Sequence, residues 1–406
     1  MASDLRAYAG VTAAYWAFTL TDGALRMLVL LHFHRLGFSP IDLAFLFLLY
    51  EVMGIVTNLA GGWIGARFGL RVTLFGGLAV QIVALLMLSA VDPAWAVGLS
   101  VAYVMAAQAL SGVAKDLTKM SSKSAVKVVV REAEDSRGLL FKWVALLTGS
   151  KNALKGVGFF LGGALLTWVG FVGALWAMAA MLAVVLALAV AGLRADLGKA
   201  RSKVAGRDLF SKTADINWLS AARVFLFASR DVWFVVGVPI FLYAELGWSF
   251  DRVGAFMAVW VIGYGIVQAA VPKLLRSTHD AATASRAAKL WGALLALLPA
   301  ALAVGMGVAP SAPLLIGGLL VFGVVFAVNS AVHSYLIVAF SDADKVALNV
   351  GFYYMANAVG RLAGTLASGV VYQLAGLTAT LWVSAAMVAI AVAFTLPLGR
   401  GRVGQG

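Results

Sequence analysis

Lys155, Arg230 and Arg361 fall near the middle of long apolar runs, where a charge costs about 3 kcal/mol to place in hydrocarbon. Side chains of that kind belong in a protein-walled, water-filled cavity. Several cations there, with few carboxylates beside them, point to a site for a negatively charged solute. Arginine suits a tetrahedral oxyanion because its planar fork donates two parallel hydrogen bonds, whereas lysine supplies a point charge. Other polar residues recur at helical spacing and share faces: Tyr15, Thr19, Asp22 and Arg26; Gln108, Ser111, Lys115 and Lys119; Arg223 and Arg230; Asn329 and His333; Asn349, Tyr353, Asn357 and Arg361. The expected anion-binding set is Arg26, Lys151, Lys155, Arg230, Asn329, Tyr353, Asn357 and Arg361. Asp22, Glu51 and Asp231 are the candidate coupling groups or charge partners.

Each of these residues also has a plainer reading. Asp22 and Arg26 are four apart and either pair within one helix or line the path. Arg223 reads as a binding residue or as a charge snorkelling from the cytoplasmic mouth. Glu51 is a proton carrier or an arginine's partner. His333 is a packing histidine or a ligand, and Asn329 and Asn357 bind solute or tie helices together. Lys115, Lys119 and Lys142 read as cytoplasmic rim charges.

The elements that would hold these residues are membrane helices. The chain is 62% hydrophobic and 12% charged, with mean hydropathy +0.95. Soluble domains sit near 25% charged. The formal charge of +13 lies mostly in loops between apolar runs, which is topogenic charge rather than a nucleic-acid footprint. There is no cysteine, which excludes thiolate metal sites and disulfides. No phosphate-cradling glycine loop followed by Lys-Ser/Thr is present. No nucleophile or metal constellation stands out, so neither enzyme activity nor a cofactor is expected.

Twelve spans are expected, at 8–34, 41–66, 72–91, 95–117, 139–168, 171–192, 216–244, 252–274, 289–308, 312–340, 347–374 and 377–397. With the N-terminus inside, the outer loops carry only Arg35 and Arg252. The inner loops hold Arg67, Arg71, Lys273, Arg276, Arg286, Lys289, Lys345, Arg400 and Arg402, besides two basic stretches, 118–138 and 193–215. This asymmetry puts both termini in the cytoplasm. The expected fold is an all-α membrane protein of two pseudo-symmetric six-helix bundles, 1–192 and 216–406, joined by a basic linker at 193–215. Spans 3, 6, 9 and 12 read as lipid-facing.

The two halves repeat. Leu36-Gly37-Phe38-Ser39 matches Leu246-Gly247-Trp248-Ser249, and the same offset sets Leu20 opposite Arg230. A slightly different offset aligns Lys155 with Arg361, Gly158 with Gly364, Gly163 with Gly369 and Gly170 with Gly376. Repeats of this kind place a substrate site near the membrane midplane where the halves meet.

Twelve spans, the duplication and the basic central loop resemble the major facilitator superfamily. GWIGARFGLR at 62–71 is similar to that superfamily's loop between helices 2 and 3, with Ala66 where an acidic residue usually stands. The resemblance implies a gating role for Gly62, Arg67, Gly69 and Arg71. GFFLGG at 158–163 resembles an antiporter glycine motif, with Phe159 in place of its proline. Four further stretches, YWAFTLTDGALRM at 15–27, QALSGVAKDL at 108–117, TGSKNALKGVGFF at 148–160 and RDVWFVV at 230–236, resemble the organoarsenical efflux permeases of bacterial arsenic operons. That resemblance implies a monomer in the bacterial inner membrane that expels 1-arseno-3-phosphoglycerate. Its metabolic partner is a glyceraldehyde-3-phosphate dehydrogenase, which makes the ester from arsenate. Hard pentavalent oxyanions need no thiolate, in keeping with the missing cysteines. An organophosphate or organic-anion exchanger and a multidrug proton antiporter are the alternatives.

Overall fold

The computed structural model describes residues 2–130, 136–193, 213–274, 281–341 and 346–398, with side chains except at 2–8, 59–70, 120, 123–130, 136–149, 272–274 and 346–348. The 193–215 linker lies largely outside the described residues. Regular structure among them is entirely helical: α1 Ala2–Arg35, α2 Pro40–Leu46, α3 Leu48–Ser89, α4 Val97–Val130, α5 Ser136–Gly192, α6 Ala214–Phe234, α7 Gly237–Ile240, a π turn Phe241–Glu245, α8 Phe250–Leu274, α9 Ala281–Val308, α10 Ala312–Ala339 and α11 Val346–Thr395. Nine stretches of the described residues are long and apolar enough to cross a membrane. On α5, α9 and α10, Leu188, Leu290, Leu297 and Val321 are exposed, as lipid-facing side chains are.

Glycines set the breaks. Within α5, Gly170 has φ 71° and ψ −178°; within α11, Gly376 has φ 73° and ψ −172°. A Cβ is strained there, and the two positions are those the sequence repeat aligned. The other two described glycines at positive φ, Gly37 and Gly247, are also a repeat pair. At Gly37 the amides of Gly37 and Phe38 close onto the carbonyls of His34 and Phe33, a left-handed cap that ends α1. Phe38 then packs edge-on against Phe33 at 5.0 Å. Ser39 and Asp42 form a reciprocal capping box, with Pro40 in the first turn, that starts α2.

The chain forms two compact units: Met1–Phe38 with Val56–Val204 and Trp248–Ile262, and Ser39–Ile55 with Ala205–Gly247 and Gly263–Gly406. In the first, Gly158 and Gly162 let α5 lie on the α1 backbone at Leu20 and Ala24, and Gly163 faces Phe250 at the start of α8. In the second, Gly360 and Gly364 lie on α6 at Val224 and Ala228, and Gly369 faces Pro40 at the start of α2. Gly163 with Phe250 and Gly369 with Pro40 are equivalent contacts under the repeat.

Several elements depart from the expected spans. The span expected at 41–66 is interrupted at Phe47, between α2 and α3, and α3 then runs unbroken to Ser89 across the expected break at 67–71. α9 starts at Ala281, ahead of the expected 289. α4 runs on to Val130, past the expected end at 117. The expected continuous span 216–244 is interrupted between Phe234 and Gly237. Pro239 explains the break: it has no N–H, and its ring clashes with the carbonyl four residues back, at Val235. The amides freed at Val236 and Gly237 both donate to Ser368 Oγ, at 3.2 and 3.1 Å. Ser368 is fully buried. Ser368→Ala is therefore expected to destabilise the protein by about 2 kcal/mol, since two buried donors lose their acceptor. Thermal unfolding in detergent checks this; an unchanged midpoint would show that water or a neighbouring carbonyl takes over.

Candidate functional site

The second unit gathers charge on three helices and one helix end. α6 contributes Arg223, Phe227, Arg230 and Asp231; α10 contributes Asn329, Ser330 and His333; α11 contributes Tyr353, Asn357 and Arg361; Glu51 stands in the first turn of α3. α6 can lie close to α11 because Gly360 and Gly364 present no side chain to it.

Four of these groups form an alternating chain of charge. Arg361 Nη2 donates to Glu51 Oε1 at 2.6 Å, and its Nε lies 3.6 Å from Asp231 Oδ2. Arg230 holds Asp231 Oδ1 through Nε at 2.6 Å and Nη2 at 2.5 Å. The expectation of few carboxylates beside these cations is thereby corrected, because Glu51 and Asp231 balance the two arginines. The balance is lopsided in space, however. The carboxylates are 1% and 0% exposed, whereas the arginine side chains are 17% and 14% exposed. In each pair the guanidinium is the more accessible partner.

Arg223 differs from both. It is 4% exposed, so it does not snorkel. Its partners are neutral: Nε donates to Asn357 Oδ1 at 3.1 Å and Nη1 to Ser330 Oγ at 3.0 Å. Its guanidinium also stacks over the rings of Phe227 at 4.0 Å and Tyr353 at 4.8 Å. No carboxylate pairs with it among the described residues. Cation–π contacts and neutral acceptors orient such a charge but leave it unneutralised. Beside it on α10, His333 is 1% exposed with neither ring nitrogen bonded, and Asn329 Oδ1 has no donor. A buried group left unsatisfied in this way is costly, and a polar solute would relieve the cost.

The first unit holds the remaining expected site residues. Asp22 and Arg26 are buried on α1, and each has a partner. Lys151 and Lys155 are half-buried on α5 and likewise partnered. The Lys155 ammonium lies 5.8 Å from the Phe159 ring. Arg71 lies 5.6 Å from the Phe75 ring, while Gly62, Arg67 and Gly69 fall outside the residues with described side chains. Thr57 donates to Asp116, and Lys119 reaches both Asn58 at 3.1 Å and Asp116 at 3.6 Å. The bonds of Thr57 to Asp116 and of Lys119 to Asn58 tie α3 to α4.

Sequence reasoning had left Arg223 open and missed Phe227 and Ser330. The available signal was the run Arg223, Phe227, Arg230, an aromatic residue between two cations on one helical face.

A multi-pass helical membrane protein with buried charge on duplicated, glycine-packed helices is a solute transporter in its architecture. The chain belongs to the Major Facilitator Superfamily, whose pattern matches residues 8–279. Its fold is similar to that of a bacterial homologue of the iron transporter ferroportin in an inward-facing state, with TM-score 0.68 and 17% identity over 96% of this chain and 98% of that one. It is also similar to the human organic anion transporter MFSD10 (TETRAN), with TM-score 0.60 and 16% identity over 97% and 98%. The comparison with curated proteins gave no match.

Proposed function

We propose that this transporter expels a polyanionic organic oxyanion by alternating access, and that the solute is 1-arseno-3-phosphoglycerate. The observation that carries the anion reading is Arg223, a buried guanidinium whose partners among the described residues are all neutral. A site for cationic drugs would want an unpaired carboxylate, but Glu51 and Asp231 are both held by arginines. The arsenate ester is the reading that the resemblance in the 15–27, 108–117, 148–160 and 230–236 stretches supports. In this reading Arg26, Lys151, Lys155, Arg230, Asn329, Tyr353, Asn357 and Arg361 serve the anion alongside Arg223.

The proposal includes twelve crossings in the bacterial inner membrane, bundles over 1–192 and 216–406, and cytoplasmic termini. The stretches Ser150–Gly192 and Asn349–Thr395, of 43 and 47 residues, support this count. Each is about twice the ~20 residues that span a bilayer, and each is broken near its middle by a glycine. The inner-loop excess of lysine and arginine supports the orientation.

Growth tests the substrate. In cells lacking other arsenic exporters, the protein is expected to confer arsenate resistance only when a phosphorylating glyceraldehyde dehydrogenase is co-expressed. Resistance that does not depend on the dehydrogenase would reject the ester as substrate. An organic-phosphate exchanger of the same fold would confer none.

A further inference from the structure

Arg223 and Arg230 are seven residues apart on α6, with Phe227 between them on the same face. Both guanidiniums use the Phe227 ring: the Arg223 carbon lies 4.0 Å from its centroid and the Arg230 carbon 4.9 Å. The two charges therefore cannot be farther apart than those two distances laid end to end. Like charges this close repel, and the structure manages the repulsion in two ways. Asp231 neutralises Arg230 from behind, and the phenyl ring offers its negative face to both cations.

Each arginine also keeps one terminal nitrogen open. Arg230 spends Nε and Nη2 on Asp231, and Arg223 spends Nε and Nη1 on Asn357 and Ser330. The remaining terminal nitrogens, Nη1 of Arg230 and Nη2 of Arg223, have no acceptor among the described residues. Aromatic rings enclose the pair. Phe326 lies 5.7 Å from the Arg230 carbon and packs on Phe227 at 5.3 Å, and Tyr353 covers Arg223.

We propose that Arg223, Phe227 and Arg230 form a two-point clamp for a short solute bearing an anionic group at each end. One end takes Nη2 of Arg223 and the other Nη1 of Arg230, while the Phe227 ring fixes their separation. The proposal rests on the anion reading above and adds a specificity to it: two-headed organic anions bind in preference to one-headed ones. The chemistry of the two arginines argues for this. A single anionic group placed on Arg223 leaves Arg230 Nη1 without an acceptor, and a second anionic group on the same molecule is held there at high effective concentration.

The test uses purified full-length protein and two probes of matched carbon skeleton, trimethylene bisphosphonate and propylphosphonate. Isothermal titration is expected to show the bisphosphonate binding at least about tenfold tighter. Arg230→Met is expected to erase that advantage while propylphosphonate still binds, which also shows that the variant is folded. Phe227→Leu keeps an apolar side chain of similar bulk but no π face, and is expected to shrink the advantage too. Equal affinity of the two probes in the wild type would overturn the clamp, as would a preference that survives Arg230→Met. The growth experiment fails independently. A bisphosphonate preference without arsenate resistance keeps the clamp and points to another two-headed anion, whereas resistance without the preference removes the clamp and keeps the ester.

Discussion

Arg223→Met is expected to lower transport about 100-fold while leaving the protein folded, with a stability loss of no more than about 2 kcal/mol. The loss follows from removing charge-assisted hydrogen bonds to the solute, worth about 1.5–3 kcal/mol each; two such bonds at the low end of that range correspond to roughly two decades of affinity. The stability cost stays small because Arg223 has no carboxylate to leave stranded, and removing a buried charge offsets the lost bonds to Asn357 and Ser330. Its partners Asn357 and Ser330 are neutral, and methionine fills most of the space between the Phe227 and Tyr353 rings. Replacing a buried charge by a packed apolar side chain is often neutral or stabilising. Transport at matched expression and thermal unfolding of the same preparations check both halves. A variant that unfolds early and loses transport only in proportion would make Arg223 a structural residue.

Asp231→Asn should do the reverse, with its first effect on stability. Asp231 is fully buried and touches both Arg230 and Arg361. Asparagine keeps its shape but withdraws the charge, so Arg230 loses its only carboxylate among the described residues. Breaking a buried ion pair from one side costs about 3–5 kcal/mol, and the partial exposure of the two guanidiniums places this case near about 3 kcal/mol. Adding Arg230→Met to Asp231→Asn is expected to recover part of the loss, because the stranded cation goes with it. A single variant as stable as the wild type would mean that Asp231 contributes no net pairing energy.

The contrast between these variants shows where sequence sufficed. The four positive-φ glycines were legible as two repeat pairs, because a left-handed backbone position selects glycine. That Arg230 and Arg361 lie inside long apolar stretches was legible too. Which arginine Glu51 meets was not. Glu51 and Arg361 are 310 positions apart, and no periodicity connects residues so distant. Arg223 was visible as a helical neighbour of Arg230, but whether it met water, carboxylate or amide depended on α10 and α11 packing against α6. The break before Gly237 had a signal in Pro239. Its full account needed Ser368, whose hydroxyl takes up the freed amides.

The central claim, outward transport of an organic oxyanion, is tested most directly in everted membrane vesicles, where export becomes uptake. Radiolabelled arsenate is supplied with glyceraldehyde-3-phosphate dehydrogenase, its nicotinamide cofactor and glyceraldehyde 3-phosphate, so that the ester forms beside the membrane. Vesicles bearing the wild-type protein are expected to accumulate label only when the enzyme is active, and vesicles bearing Arg223→Met are expected to stay near background. Label that enters equally without the enzyme, or equally in the Arg223→Met vesicles, would contradict the account.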